Sequence, residues 1–150
     1  LDFGNSLYRL LFVCGIDVVD VRRFYMFASV LALVQLMLGL FFSYSVRVAG
    51  DVSTPLALLP VHFLLAIFIL AFLLAGVVRG RGSAASRLAL IPLTLLVVSG
   101  LVGLSISLTI QGVISIDPNL LSTLGLYVHN PLGWLIAITT VVTYLRSRKA

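Results

Sequence analysis

Four long stretches without a single ionised residue dominate this chain. They are Phe24–Val46, Val52–Val78, Leu88–Ile116 and Pro118–Leu145, of 23, 27, 29 and 28 residues. A helix needs about 20 apolar residues to cross about 30 Å of hydrocarbon. Each stretch is long enough, and together they leave little of the 150 residues for a soluble domain. Lipid-exposed backbone must satisfy its own hydrogen bonds, which leaves helices or closed barrels. The β-branched residues do not alternate with polar ones as barrel strands require. The expected fold is therefore all-α: an integral membrane four-helix bundle, with spans near 24–46, 56–78, 88–110 and 121–145. Residues 1–23 form a cytoplasmic N-terminal segment in this reading, and 24–150 the membrane domain.

The charges that remain sort by side. Arg9, Arg22 and Arg23 precede the first span, Arg79, Arg81 and Arg87 join the second to the third, and Arg146, Arg148 and Lys149 follow the fourth. Arg47 alone falls on the other side. The positive-inside rule places the basic side, and both termini, in the cytoplasm. The net charge of +5 is thus accounted for by topology, with a lipid bilayer as the partner rather than nucleic acid. A multi-pass protein of the cell membrane is expected.

The N-terminal segment does not read as a secretory signal, because Arg9, Asp17 and Asp20 break its apolar stretch. Leu7, Leu10, Leu11 and Cys14 recur at helical spacing, which predicts a short surface helix. One cysteine excludes an intrachain disulfide and a cysteine-held iron–sulfur cluster within one chain.

The two halves share an outline. Each has a rising span, an outer loop with an aspartate, and a descending span with one histidine near its start. Asp51 precedes His62 by 11 residues and Asp117 precedes His129 by 12. Two similar hairpins packed about an axis along the membrane normal would make the bundle.

Few residues here carry chemistry. There is no glutamate, and all five aspartates lie outside the apolar runs, so an intramembrane carboxylate relay is excluded. His62 and His129 are the only two histidines. Each stands 16 residues before the basic end of its run, roughly 24 Å up a core about 30 Å thick. Two imidazoles at one depth on diagonal helices suit axial ligation of a haem iron, making His62 and His129 the candidate metal ligands. An imidazole hydrogen-bonded to a neighbouring helix is the plainer alternative, although ionisable groups inside spans mark function by default. Copper or zinc would need further thiol or carboxylate donors, which the neighbouring sequence lacks.

The surroundings add weaker signals. Pro60 and Pro131 flank the histidines. Pro131 either kinks the fourth helix beside His129, depriving the Tyr127 carbonyl of its partner, or Asn130-Pro131 starts that helix. Arg47 is a candidate partner for haem propionates, with a snorkelling surface arginine as the commoner role. Gln35, near the midplane, is expected to bond between helices. Phe63, Phe68, Phe72 and Trp134 are expected to pack in the bundle or face lipid.

At these residues the sequence resembles the heme A synthase family. Leu33-Val-Gln-Leu-Met-Leu-Gly39, an outer loop and Val61-His-Phe-Leu-Leu-Ala66 look like the family's glutamine-and-glycine helix and its histidine-bearing helix. Val128-His-Asn-Pro-Leu-Gly-Trp134 resembles the opening of the partner helix. Family members usually have two four-helix halves, one holding a haem b and the other oxidising the C8 methyl of haem O to the formyl of haem A. The resemblance implies a compact, half-length form of such an oxidoreductase, with haem between His62 and His129, haem O as substrate, an external electron donor and a possible homo-oligomer. Leu59 stands where the family usually has a glutamate, and the paired cysteines of its outer loop are missing. The resemblance therefore assigns no catalytic acid or base. Two other functions fit the same histidines: a bis-histidine cytochrome b-type electron-transfer anchor, and a non-enzymatic membrane assembly subunit.

Overall fold

The computed structural model describes residues 21–51 and 53–148. The surface helix expected near the N-terminus, and Cys14 within it, lie outside the described residues. Helix α1 spans Val21–Arg47, α2 Ser53–Arg79 and α3 Ala84–Ile110. The fourth span is composite. A short α4, Pro118–Thr123, leads into a π-helical turn at Leu124–His129 and then α5, Asn130–Ser147. All four spans are long and apolar enough to cross a membrane. The chain is an all-α four-helix membrane bundle.

Three helices begin a few residues before the predicted spans because polar side chains, rather than the edges of apolar runs, set their starts. Asp51 Oδ1 accepts from the backbone N–H groups of Ser53 and Thr54, at 2.9 and 3.2 Å, and opens α2. Asp117 does the same for α4, accepting from Asn119 and Leu120 at 2.9 and 3.1 Å. Ser83 caps α3 through Ser86 N–H, at 3.0 Å. Each cap satisfies donors that a helix start leaves unpaired. The aspartates shared by the two halves are thus helix starters. Gly50 and Gly112 take positive φ in the turns before them, a conformation that disfavours a side chain.

Around the bundle, α1 packs on α2, α2 on α3, α3 on α5 and α5 back on α1. The diagonal pairs are therefore α1/α3 and α2/α5. The fully packed core sits toward the basic end, where Tyr25, Ala28, Ile69, Leu73, Ala85 and Ala89 are buried. Small residues dominate there, letting backbones approach, as membrane helices require when lipid offers apolar contact equally well. Gly76 is the tightest point, since a Cβ there would lie 2.8 Å from Cζ of Tyr25. Polar links join α1 to α5. The single Ser29 hydroxyl proton is shared between the Tyr25 carbonyl of its own helix, at 2.7 Å, and the Thr140 carbonyl across the interface, at 3.1 Å, and Asn130 Nδ2 donates to Ser43 Oγ at 3.2 Å.

Candidate functional site

Toward the far end, the bundle opens around a cavity of about 320 Å³. Its walls run from Arg47, Pro55 and Ile110 at the mouth to Ala32, Ile69 and Leu96 deep in the bundle. The volume falls at the lower end of the range for small-molecule and cofactor sites. The polar interruptions are few: Gln35, Ser43, Arg47, His62, Ser99, Ser107, His129 and Asn130.

His62 and His129 meet in this cavity. Their ring centroids are 6.2 Å apart, with the planes inclined at 55°. They come from diagonal helices, as their matched depths predict. His62 is backed by Phe42, centroid to centroid 5.5 Å, and by the edge of Phe63 at 6.4 Å. Its Nδ1 is buried without a hydrogen-bond partner.

His129 is held differently. Its Nδ1 lies 3.1 Å from both the carbonyl oxygen and the Oγ of Ser99 on α3. A carbonyl only accepts, so Nδ1 carries the proton and Nε2 keeps the free lone pair. The ring can reach this carbonyl because residue 103, one turn on, is glycine. A Cβ at Gly103 would stand 2.9 Å from Cε1 of His129. The first hairpin has a looser counterpart: a Cβ at Gly39 would clear His62 Cε1 by 4.0 Å.

The backbone at His129 is itself irregular. The Asn130 N–H reaches back five residues to the Gly125 carbonyl, so the helix carries an extra residue in this turn. Pro131 sits just inside the helix that follows. Its missing N–H removes the ordinary α-helical partner of Tyr127, and the wider turn falls on those carbonyls. Asn130-Pro131 therefore does not start the fourth span, which is already helical from Pro118. Pro60, two residues before His62, lies within α2.

Other expectations are revised. Gln35 does not complete a bond between helices through its carbonyl: Oε1 is buried without a partner and the residue lines the cavity. Phe63 and Trp134 also line the cavity, whereas Phe72 packs against Phe27 and Phe24. Arg47 is exposed and stands at the mouth. Ser99 and Gly103 were missed in the sequence. The signal available was a parallel, Gln35-x-x-x-Gly39 before His62 and Ser99-x-x-x-Gly103 before His129.

The donor set discriminates among metals. The described residues contain no group of three or more histidine, cysteine, aspartate or glutamate side chains. A structural zinc site draws four such ligands. Haem brings its own four equatorial nitrogens and asks the protein only for axial ones. A metal–imidazole bond of about 2.0–2.1 Å plus roughly 1.1 Å to the ring centre would put two axial rings about 6.3 Å apart. The observed centroid separation of 6.2 Å is of that size.

These features define a class: a four-span membrane bundle with a histidine-lined, largely apolar cavity between diagonal helices. The chain matches no protein-family model, no curated protein and no solved structure.

Proposed function

We propose that this protein is a haem-binding membrane oxidoreductase in which His62 and His129 would hold the haem iron. The observation that carries the reading is the separation of the two rings, 6.2 Å across a cavity that has no other pair of metal donors. Haem would supply the redox chemistry, which no protein side chain here offers. The chain's own residues then bind and orient. His62 and His129 would hold the iron, Arg47 at the mouth would meet the propionates, and the apolar walls would keep water from the centre. No acid or base is assigned.

Within this class, the likeness of the histidine segments to heme A synthases supports oxidation of the C8 methyl of haem O to the formyl of haem A. Electrons would pass to and from an external partner, and the basic end would face the cytoplasm of the cell membrane. A second reading, a bis-histidine electron-transfer anchor, is favoured by the same ring spacing, because two imidazoles on one iron fill both axial positions.

The test is reconstitution of the detergent-purified protein with haem b and with haem O, followed by spectroscopy and mass identification of the extracted haem. Stoichiometric binding with a low-spin bis-histidine spectrum, lost in His129→Ala, is the expected result. Haem O converted to a hydroxylated haem or haem A in the presence of a reductant and oxygen establishes the synthase; unchanged haem establishes the electron-transfer anchor. A protein that binds neither haem refutes both.

A further inference from the structure

The two histidines are built to different standards. On the His129 side, three features converge. The Ser99 carbonyl and hydroxyl both stand 3.1 Å from Nδ1, Gly103 leaves the gap through which the ring reaches them, and the π-helical turn ends at His129 itself. A helical carbonyl has a second lone pair after its own ladder bond, so this contact need not break α3. A ligating histidine whose other nitrogen is hydrogen-bonded to a carbonyl is fixed in tautomer and orientation, and is the more basic ligand.

On the His62 side, the equivalent parts are present but unengaged. Gln35 and Gly39 hold the places that Ser99 and Gly103 hold in the second hairpin. Yet His62 Nδ1 and Gln35 Oε1 are both buried without partners, and His62 lies farther from its glycine than His129 does. The His62 imidazole has ring contacts with Phe42, Phe63 and His129, and its Nδ1 has no hydrogen-bond partner among the described residues.

We infer that Ser99 and Gly103 are positioning residues that make His129 the permanent axial ligand, and that His62 is the exchangeable one, yielding its axial place to a small incoming molecule. This inference rests on the haem reading and deepens it. It turns a site with both axial positions filled into one that opens on a single, defined side.

The experiment compares haem affinity and carbon monoxide binding in reconstituted full-length protein and four variants. In wild type, carbon monoxide should bind ferrous haem by displacing one histidine, with a rate limited by ligand release. His62→Ala should keep haem within a few-fold of wild-type affinity, become five-coordinate and bind carbon monoxide at least ten-fold faster. His129→Ala should lose ten-fold or more in haem affinity. Gly103→Ala pushes the ring off the Ser99 carbonyl and should weaken haem about 10–100-fold, as loss of an outer-shell partner does. Ser99→Ala keeps the carbonyl but loses the hydroxyl, so it should keep haem and shift its reduction potential. Circular dichroism confirms that each variant is helical, and the two histidine variants decide the matter if Gly103→Ala does not fold. Equal haem loss in His62→Ala and His129→Ala, or carbon monoxide displacing His129, overturns the inference while leaving the haem reading intact. Wild-type protein that takes up no haem overturns both.

Discussion

Gly76→Ala tests how the bundle keeps one end closed so that the other can hold a cavity. The added Cβ would stand 2.8 Å from Tyr25 Cζ and 3.0 Å from Cδ1. Carbon atoms pack at about 3.5–4.0 Å, so α1 and α2 would have to part by roughly 1 Å or the ring would have to turn. Tyr25 is completely buried and has no room to turn. Overpacking of this kind costs about 1–3 kcal/mol. Against it stands the helix preference of alanine over glycine, about 0.5–1 kcal/mol. The net expectation is a loss of about 1–2 kcal/mol, read as a shifted midpoint in reversible unfolding by denaturing detergent in mixed micelles. The decisive comparison is in a Tyr25→Ala background. With the ring gone, only the propensity term survives, so Gly76→Ala should reverse sign and stabilise by about 0.5–1 kcal/mol. Because Gly76 lies at the basic end, any haem affinity, on the proposed reading, should be the same in the folded variant as in wild type. A Gly76→Ala protein as stable as wild type, with no sign reversal, would refute the claim that Gly76 exists to admit Tyr25.

Tyr25→Phe should stabilise by about 1 kcal/mol in the same unfolding assay, since the phenol oxygen is buried without a partner and unsatisfied groups cost about 1–3 kcal/mol. Ser29→Ala should move the opposite way by about 0.5 kcal/mol, because its hydroxyl proton is shared between the Tyr25 carbonyl of its own helix and the Thr140 carbonyl across the interface. Hydrogen bonds from Thr54 and Ser53 hold the Asp51 carboxyl down at about 2. An aspartate lowered from its ordinary value of about 3.9 stabilises fully above that pH, and the contribution fades as pH falls toward 2. An acid titration of helicity should show a step between about pH 4 and 2 that Asp51→Asn removes. If the proposed haem is bound, Arg47→Gln should weaken its retention several-fold at low salt and less at high salt, because an exposed cation acts through a screened field; a salt-independent effect would argue for packing instead.

The spans were legible because membrane thickness is a length criterion and charges mark its edges. What that criterion misses is chemistry at the ends. Asp51, Ser83 and Asp117 extend helices into the polar zone by capping them, which an uncharged-run count cannot register. The meeting of His62 and His129 was legible from equal depth on parallel spans. Their inequality was not, because it depends on a missing side chain, Gly103, and on a backbone atom, the carbonyl of Ser99. Neither carries a residue-type signature. Gln35 misled for a related reason: polarity at the midplane implies a partner, but a cavity wall lets a carbonyl oxygen stay unpaired.

The uneven distribution of small residues along the bundle ties fold to site. Toward the basic end, alanines and Gly76 draw the helices together around Tyr25, Ile69 and Leu73. Toward the far end, Gly39, Gly100, Gly103, Gly125 and Gly133 line open space instead. The same residue type therefore serves two ends: where a bulky neighbour fills the gap, glycine permits contact, and where an imidazole enters, it leaves a cavity. In a bilayer, lipid gives no apolar reward for collapsing that cavity, so the closed end must fix the helix separation. Two polar links, Ser29 to Thr140 deep in the core and Asn130 to Ser43 beside the histidines, pin α1 to α5 on either side of the transition. The cavity can then keep its shape without an apolar core of its own, and the imidazoles stand 6.2 Å apart because the helices carrying them cannot close.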